Sequence, residues 1–303
     1  MLKALALILR ILVKLTILIL IVCFAPIHYL GYKLYFLVKK KNTLVEDRKL
    51  HFPIVYYRNK QNQTVIFIAV MHVAVKAYFE KIGEHLKKWG ETHSVLYEMV
   101  KPGKQNVELS ERERFLLKKL KIIKKAMKKL ADNMGLTYQS EIIDYSDEWI
   151  WADVSQEDFV RRLAKNKTSF ENFKEDEGSD LFDDPKALWV INKVFMFMAS
   201  WLFYYLKALL FIFRATSRHD KKVLLDWRNS VAFAKIKESV TKKPVVTIWG
   251  AEHLNGIDKM LRKMGFREYQ REWLVAYEDS GLTFKEAFAK DDDVDTAEGS
   301  ERL

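Results

Sequence analysis

The chain has 303 residues, 49% apolar and 13% aromatic, enough to bury a core, and its 11 Gly and 5 Pro exclude a collagen-like or linker-like polymer. A single cysteine, Cys23, excludes an intrachain disulfide framework and a cysteine-based zinc cluster. The net charge of +11 is concentrated in two places, with seven basic residues and no acidic one in 1–41 and seven lysines between Lys118 and Lys129, so no general nucleic-acid footprint is present.

From Leu15 to Tyr32 there are 18 residues without a charge, bounded by Lys14 and Lys33. About 20 apolar residues span a bilayer, so 1–41 is expected to be an uncleaved, single-pass N-terminal anchor in the lipid bilayer. A cleaved signal peptide fits less well, because its apolar part is shorter and a small-residue cleavage site should follow. A lipoprotein using Cys23 fits less well, because bulky Val22 precedes it and the apolar run continues past it; a buried soluble helix is the remaining alternative. Lysines and arginine stand on both sides of the run, so the positive-inside rule leaves the side of the bilayer undetermined.

Beyond the anchor, 50–282 reads as one mixed α/β domain, with a central, mostly parallel sheet flanked by helices. Ile54–Tyr57 and Val65–Val70 are apolar enough for buried strands. A helix reaching Trp89 and closed by Gly90 leads to a third strand, Ser94–Met99; strand, helix and strand over this distance predict a parallel βαβ unit. Phe115–Leu130 predicts an amphipathic helix, with Leu116, Leu120, Ile123, Met127 and Leu130 on one face and seven lysines on the other. That lysine face is either solvated or adheres to anionic lipid. Ser155, three residues before Asp158, marks a helix start over Gln156–Lys165. Residues 187–213 are expected to be an inserted aromatic-rich helix, an apolar stretch interrupted by Asn192, Lys193 and Lys207. An amphipathic helix near Leu224–Glu238, a strand Val245–Trp249, a helix Leu254–Met264 ending at Gly265 and a strand Trp273–Tyr277 complete the domain. The acidic tail 289–303 is expected to be disordered.

Two strand ends carry a histidine in the same way. Val65-Ile-Phe-Ile-Ala-Val-Met-His72 aligns with Val246-Thr-Ile-Trp-Gly-Ala-Glu-His253, each a hydrophobic strand followed by a short turn, a histidine and a helix. Ligands of open α/β sheets bind beyond the carboxyl ends of strands, where both histidines and Glu98 would meet. Two imidazoles and a carboxylate can bind a divalent metal and leave a position for water. Each residue alone has an ordinary reading as well: a hydrogen-bonded histidine, or a paired core carboxylate for Glu98. A third match, Gly90-Glu91-Thr92-His93, lies at the amino end of its strand and reads as a surface turn.

These patches resemble the TraB/PrgY/GumN/TIKI-type family, within the wider erythromycin-esterase-like and ChaN-like superfamily. The resemblance rests on Val65–Met99 with His72 and Glu98, on Arg228-Asn229, and on Gly250-Ala251-Glu252-His253-Leu254-Asn255-Gly256, with a looser match at Asp153. It implies a mixed α/β fold with two Gly-x-x-His motifs, a glutamate and an arginine at one site, in a family described variously as metal-dependent proteases, esterases or haem-binding proteins. The chain departs at Ala69, where the first motif has glycine, and at Glu252, where a small residue is usual.

The expected function is therefore a membrane-tethered, metal-dependent hydrolase of protease or esterase type, acting on a protein or peptide substrate near the membrane. His72, Glu98 and His253 would hold a divalent metal ion of unspecified identity, or activate water without one. Arg228 would orient a substrate carbonyl or stabilise an oxyanion, unless it pairs with Asp226 or another acid. Asn229 is a supporting candidate, and Glu252 is either a base or a solvated turn residue. The alternative is a non-catalytic binding or regulatory membrane protein on the same fold. No nucleic-acid partner is expected. Because His72 precedes 187–213 and His253 follows it, a shared site requires that this stretch not cross the bilayer once; docking on the membrane or covering the cleft is preferred over a re-entrant hairpin, with partner binding as a further alternative.

Overall fold

The computed structural model describes residues 42–103, 107–172 and 218–278, with Pro26, Tyr29 and Leu30 of the N-terminal segment. Apart from those three residues, the anchor expected in 1–41 lies outside the described residues, as do the aromatic stretch 187–213 and the acidic tail 289–303. Among the described residues, no helix is long and apolar enough to cross a membrane.

The chain forms a mixed α/β fold built on one mostly parallel sheet. Strands β1 (Leu44–Glu46), β2 (Lys49–Arg58) and β3 (Thr64–Val70) open it as an antiparallel meander. Helix α1 (Lys76–Gly90) follows a two-residue strand β4 (Val73–Ala74) and leads to β5 (Ser94–Tyr97). Helix α2 (Glu111–Asn133), β6 (Thr137–Tyr138), α3 (Gln139–Ile142), β7 (Ile150–Trp151) and α4 (Gln156–Leu163) come next. After residue 217 stand α5 (Arg218–Lys221), a π-helical stretch Lys222–Trp227, α6 (Arg228–Val240), β8 (Val245–Gly250), a 3-10 turn Ala251–His253, α7 (Leu254–Lys263) and β9 (Arg267–Glu278).

The sheet runs β1–β2–β3–β8–β5–β7, and β9 pairs antiparallel with β2 along Lys49–Arg58. Strands β3, β8, β5 and β7 are parallel neighbours. The expected β3–α1–β5 crossover is present, but its two strands are not adjacent. β8, arriving from the far end of the chain, lies between them, so the carboxyl ends of four strands from distant parts of the sequence share one rim.

Alternate residues of these apolar strands feed two cores. Ile66, Ile68 and Val70 of β3 with Val246 and Ile248 of β8 pack under Tyr78, Phe79, Ile82 and Leu86 of α1. Val65, Phe67 and Ala69 with Val245 and Trp249 pack under Ala232, Ile236 and Val240 of α6 and Leu254, Ile257 and Leu261 of α7. Burial on both faces explains why these strands read as continuous apolar runs. Leu116 of α2 joins Val160 and Leu163 of α4 in a smaller satellite cluster.

Local signals are realised with small differences. Ser155 caps α4 by accepting the Asp158 amide at 3.0 Å. Gly265 takes φ 87° just past α7, the left-handed stop that favours glycine. Gly90 instead remains the last residue of α1, and the helix ends through Glu91 in a right-handed conformation. The last strand is longer than Trp273–Tyr277, because β2 offers it a full-length partner.

Candidate functional site

The parallel rim gathers Glu98, Asp153, Arg228, Asn229 and His253 into one buried cluster. Glu98 follows β5, and its amide continues the ladder to the Ile248 carbonyl at 3.1 Å. Asp153 follows β7, and its predecessor Ala152 donates to the Tyr97 carbonyl at 3.1 Å. His253 ends the 3-10 turn after β8. The π-helical stretch Lys222–Trp227 leads into α6, where consecutive residues Arg228 and Asn229 are both buried. Such stretches re-aim the side chains that follow them and recur at functional sites.

Arg228 is clamped between two acids. Its Nε and Nη2 donate to the two oxygens of Asp153 at 2.9 and 2.6 Å, and Nη2 also donates to Glu98 Oε1 at 2.6 Å. Glu98 Oε2 accepts the Gly250 amide. His253 Nε2 stands 3.5 Å from Glu98 Oε1, and the Glu98 side chain is only 7% exposed. Burial by itself would raise the Glu98 pKa; the hydrogen bond with His253 and the charges of Arg228, His253 and His72 outweigh it and hold the carboxyl well below its ordinary value. Burial opposes the charge on Arg228 too, and its bonds to Asp153 and the Glu98 charge raise its pKa above the usual range. Apart from the imidazoles, the cluster sets two carboxyl groups against one guanidinium in a buried place.

Both motif glycines have a steric reason. A Cβ at Gly250 would come within 3.2 Å of Glu98 Oε2, so the glycine admits the carboxylate to the backbone amide. A Cβ at Gly256 would lie 2.1 Å from Asn229 Nδ2. Asn229 Oδ1 in turn accepts from His253 Nδ1 at 2.7 Å, which places the proton on Nδ1 and leaves Nε2 toward Glu98. Trp249 packs edge-on against the His253 ring at 4.9 Å, completing its enclosure.

His72 has a different setting. It is exposed, outside the carboxylate–guanidinium cluster, and its Nδ1 bonds Gln139 Oε1 at 3.0 Å. Gln139 donates onward to the Tyr145 hydroxyl at 2.7 Å. Burial raises the Tyr145 pKa, Gln139 opposes that shift, and the Glu98 charge adds to it, so the hydroxyl stays protonated. The turn around His72 also differs from that at His253, since β4 intervenes before the helix and Val70, not Ala69, pairs with Gly250. Ala69 is buried inside β3, where its carbonyl accepts from Tyr78.

Among the described residues, no three His, Cys, Asp or Glu side chains surround a common point at metal-binding distance. The donors nevertheless suit a divalent ion chemically. The 3.5 Å between His253 Nε2 and Glu98 Oε1 is close to the edge of a tetrahedron with bonds of about 2.1 Å, about 3.4 Å. Each histidine has its second nitrogen fixed by an amide oxygen, the outer-sphere arrangement typical of metal-binding imidazoles. Glu252 is exposed, in keeping with a turn residue.

The pairing of Arg228 with Asp153, the role of Gln139 behind His72 and the glycine seat for Asn229 were not assigned from sequence. Only the -Ala152-Asp153- patch gave a signal for the first. His93 lies at the amino end of β5, on the opposite rim, where a cleft of about 580 Å³ is lined by His93, Lys87, Asp144, Trp149 and Lys243. Comparison of the chain with protein-family models, curated proteins and solved structures finds no match in any of the three.

Proposed function

We propose that the chain is a membrane-tethered hydrolase that cleaves ester or peptide bonds at the His253–Glu98 rim, with a divalent metal as its cofactor. The observation that carries the reading is the buried, oriented pair of His253 and Glu98 at the carboxyl ends of four parallel strands, held from behind by Asn229, Arg228 and the Gly250 amide. The TraB-type resemblance of the same patches points in the same direction.

His72, Glu98 and His253 would hold the metal, which supplies a water acidified toward neutral pH. Without the metal the same residues would activate water themselves: His253 Nε2 takes the proton of the attacking water as it adds to the substrate carbonyl, the Glu98 carboxylate stabilises the imidazolium so formed, and that imidazolium returns the proton to the leaving group. Exposed His72 is a second candidate for that acid. Arg228, paired through Nε and Nη2 with Asp153 and Glu98, acts as a positioning residue that fixes the carboxylate. β8, from beyond residue 217, lies between β3 and β5 from before residue 173, so the two histidines share one compartment, as a common site requires. The bilayer anchor in 1–41, the aromatic helix in 187–213 and a substrate near the membrane belong to this proposal.

One observation favours a non-catalytic binding or regulatory protein instead: both oxygens of Glu98 already have partners, Arg228 and the Gly250 amide. Metal analysis of the purified full chain, with hydrolysis of a nitrophenyl ester and a fluorogenic peptide mixture, separates the two. Hydrolysis falling at least 100-fold in His253→Ala, with stoichiometric metal lost in His72→Ala and His253→Ala, is the expected result. Absence of both metal and hydrolysis in the unmodified chain would leave the binding protein.

A further inference from the structure

Helix α2 carries a stripe of cations along one exposed face. Arg114, Lys118, Lys121, Lys125 and Lys128 follow at steps of four, three, four and three, the spacing that lines side chains along one helix face. At about 1.5 Å per residue the stripe is about 21 Å long. All five are exposed, while Leu116 is buried in the satellite cluster. Lys128 bonds Glu141 at 2.6 Å; Lys121, Lys124 and Lys125 have no carboxylate partner among the described residues. Like charges at these spacings oppose helix formation, so the apolar underside holds the helix against its own surface.

We propose that this face of α2 docks on an anionic lipid surface. No aromatic residue lies between Lys118 and Lys129, so the stacking platforms that accompany single-stranded nucleic-acid grooves are missing. A row of flexible ammonium groups matches a plane of anionic headgroups, where each lysine strengthens binding about fivefold. Proximity adds to this, a step that rests on the anchor reading: the nine residues 33–41 reach at most about 30 Å, which keeps the domain within range of the headgroups.

The test reconstitutes the full chain with vesicles of phosphatidylcholine alone or with about 30% phosphatidylserine, and reads lysine acetylation by mass spectrometry. Labelling of Lys121, Lys124 and Lys125 is expected to fall severalfold on the anionic vesicles only. It should recover in about 1 M salt, where the screening length is about 3 Å. A Lys118→Gln, Lys121→Gln, Lys125→Gln variant should lose the protection of Lys124 while keeping its circular dichroism. Equal labelling on both vesicles, or protection by single-stranded RNA without protection by anionic vesicles, would overturn the proposal. Flotation with the neutral vesicles reads the anchor separately, and its loss with retained protection on anionic vesicles leaves α2 docking standing.

Discussion

Arg228 stands between two carboxylates that it alone neutralises within the cluster, and its substitution is more damaging than that of either acid. Arg228→Met leaves Glu98 and Asp153 buried without a counter-charge, and removing one member of such a network typically costs about 3–5 kcal/mol. Urea unfolding of the variant should show that loss as a lower midpoint with an unchanged slope. Glu98→Gln keeps the shape and is milder, but it changes the acid limb of stability. Because the folded Glu98 carboxyl is held below its ordinary value of 4.5, the unfolded chain takes up the proton first as pH falls. The stabilisation from ionised Glu98 is therefore complete above about 4.5 and is lost progressively at lower pH. The gap in unfolding free energy between the unmodified chain and Glu98→Gln should be constant from pH 7 to 5 and shrink below that. A gap that does not change in acid would mean that Glu98 is not a depressed, paired carboxylate.

At the scale of elements, α6 and α7 meet through one contact that sequence inspection does not reveal. Gly256 opens the space into which the Asn229 amide fits, and that amide orients His253. Gly256→Ala should cost about 2 kcal/mol by overpacking, despite the better helix propensity of alanine. In an Asn229→Ala background the obstructing amide is gone, and of the three atoms nearest the added methyl only the Cβ of residue 229 remains, at an ordinary 3.6 Å; the same change should become neutral or stabilising by up to about 1 kcal/mol. A double-mutant cycle by urea unfolding reads this reversal, and additive costs would rule out the seat. The elements themselves were largely legible: the apolar runs at 65–70, 94–99 and 245–249 are β3, β5 and β8 within two residues, because burial on both faces leaves an unbroken local signal. Their order was not legible, since β8 enters between β3 and β5 through pairings across more than 140 residues. The site was half legible. Histidines and a glutamate at strand ends follow from local pattern, but the partner of Arg228 does not. Asp226 was the nearest acid in sequence, yet residues two apart on a helix point to different sides; Asp226 is exposed, and Asp153, 75 positions away, holds the guanidinium.

For the molecule as a whole, the sheet closes only when the C-terminal segment returns, and the place of return is fixed by polar contacts. Ser169 donates to Asp220 through its amide at 2.9 Å and its hydroxyl at 2.7 Å, and His219 Nε2 meets the Leu163 carbonyl at 3.1 Å. Residues 163–169 and 219–220 are therefore in direct contact, although about 50 residues separate them in sequence. Among the described residues, the strands, the two main cores and the candidate cluster are complete without any contribution from 173–217. Replacing those 45 residues by a Gly/Ser linker of about eight residues, with a reach of about 16 Å, should preserve the sheet. Closing a shorter loop costs less entropy, a gain of about 1.5 kcal/mol, so the urea midpoint should stay level or rise. Near-ultraviolet circular dichroism should retain the signal of the buried Trp249 and of the Tyr97–Tyr145–Trp149 cluster. A variant that unfolds without cooperativity would instead place part of the core within 173–217. A variant that folds provides a chain without the aromatic stretch, in which hydrolysis and membrane attachment can be measured apart from it.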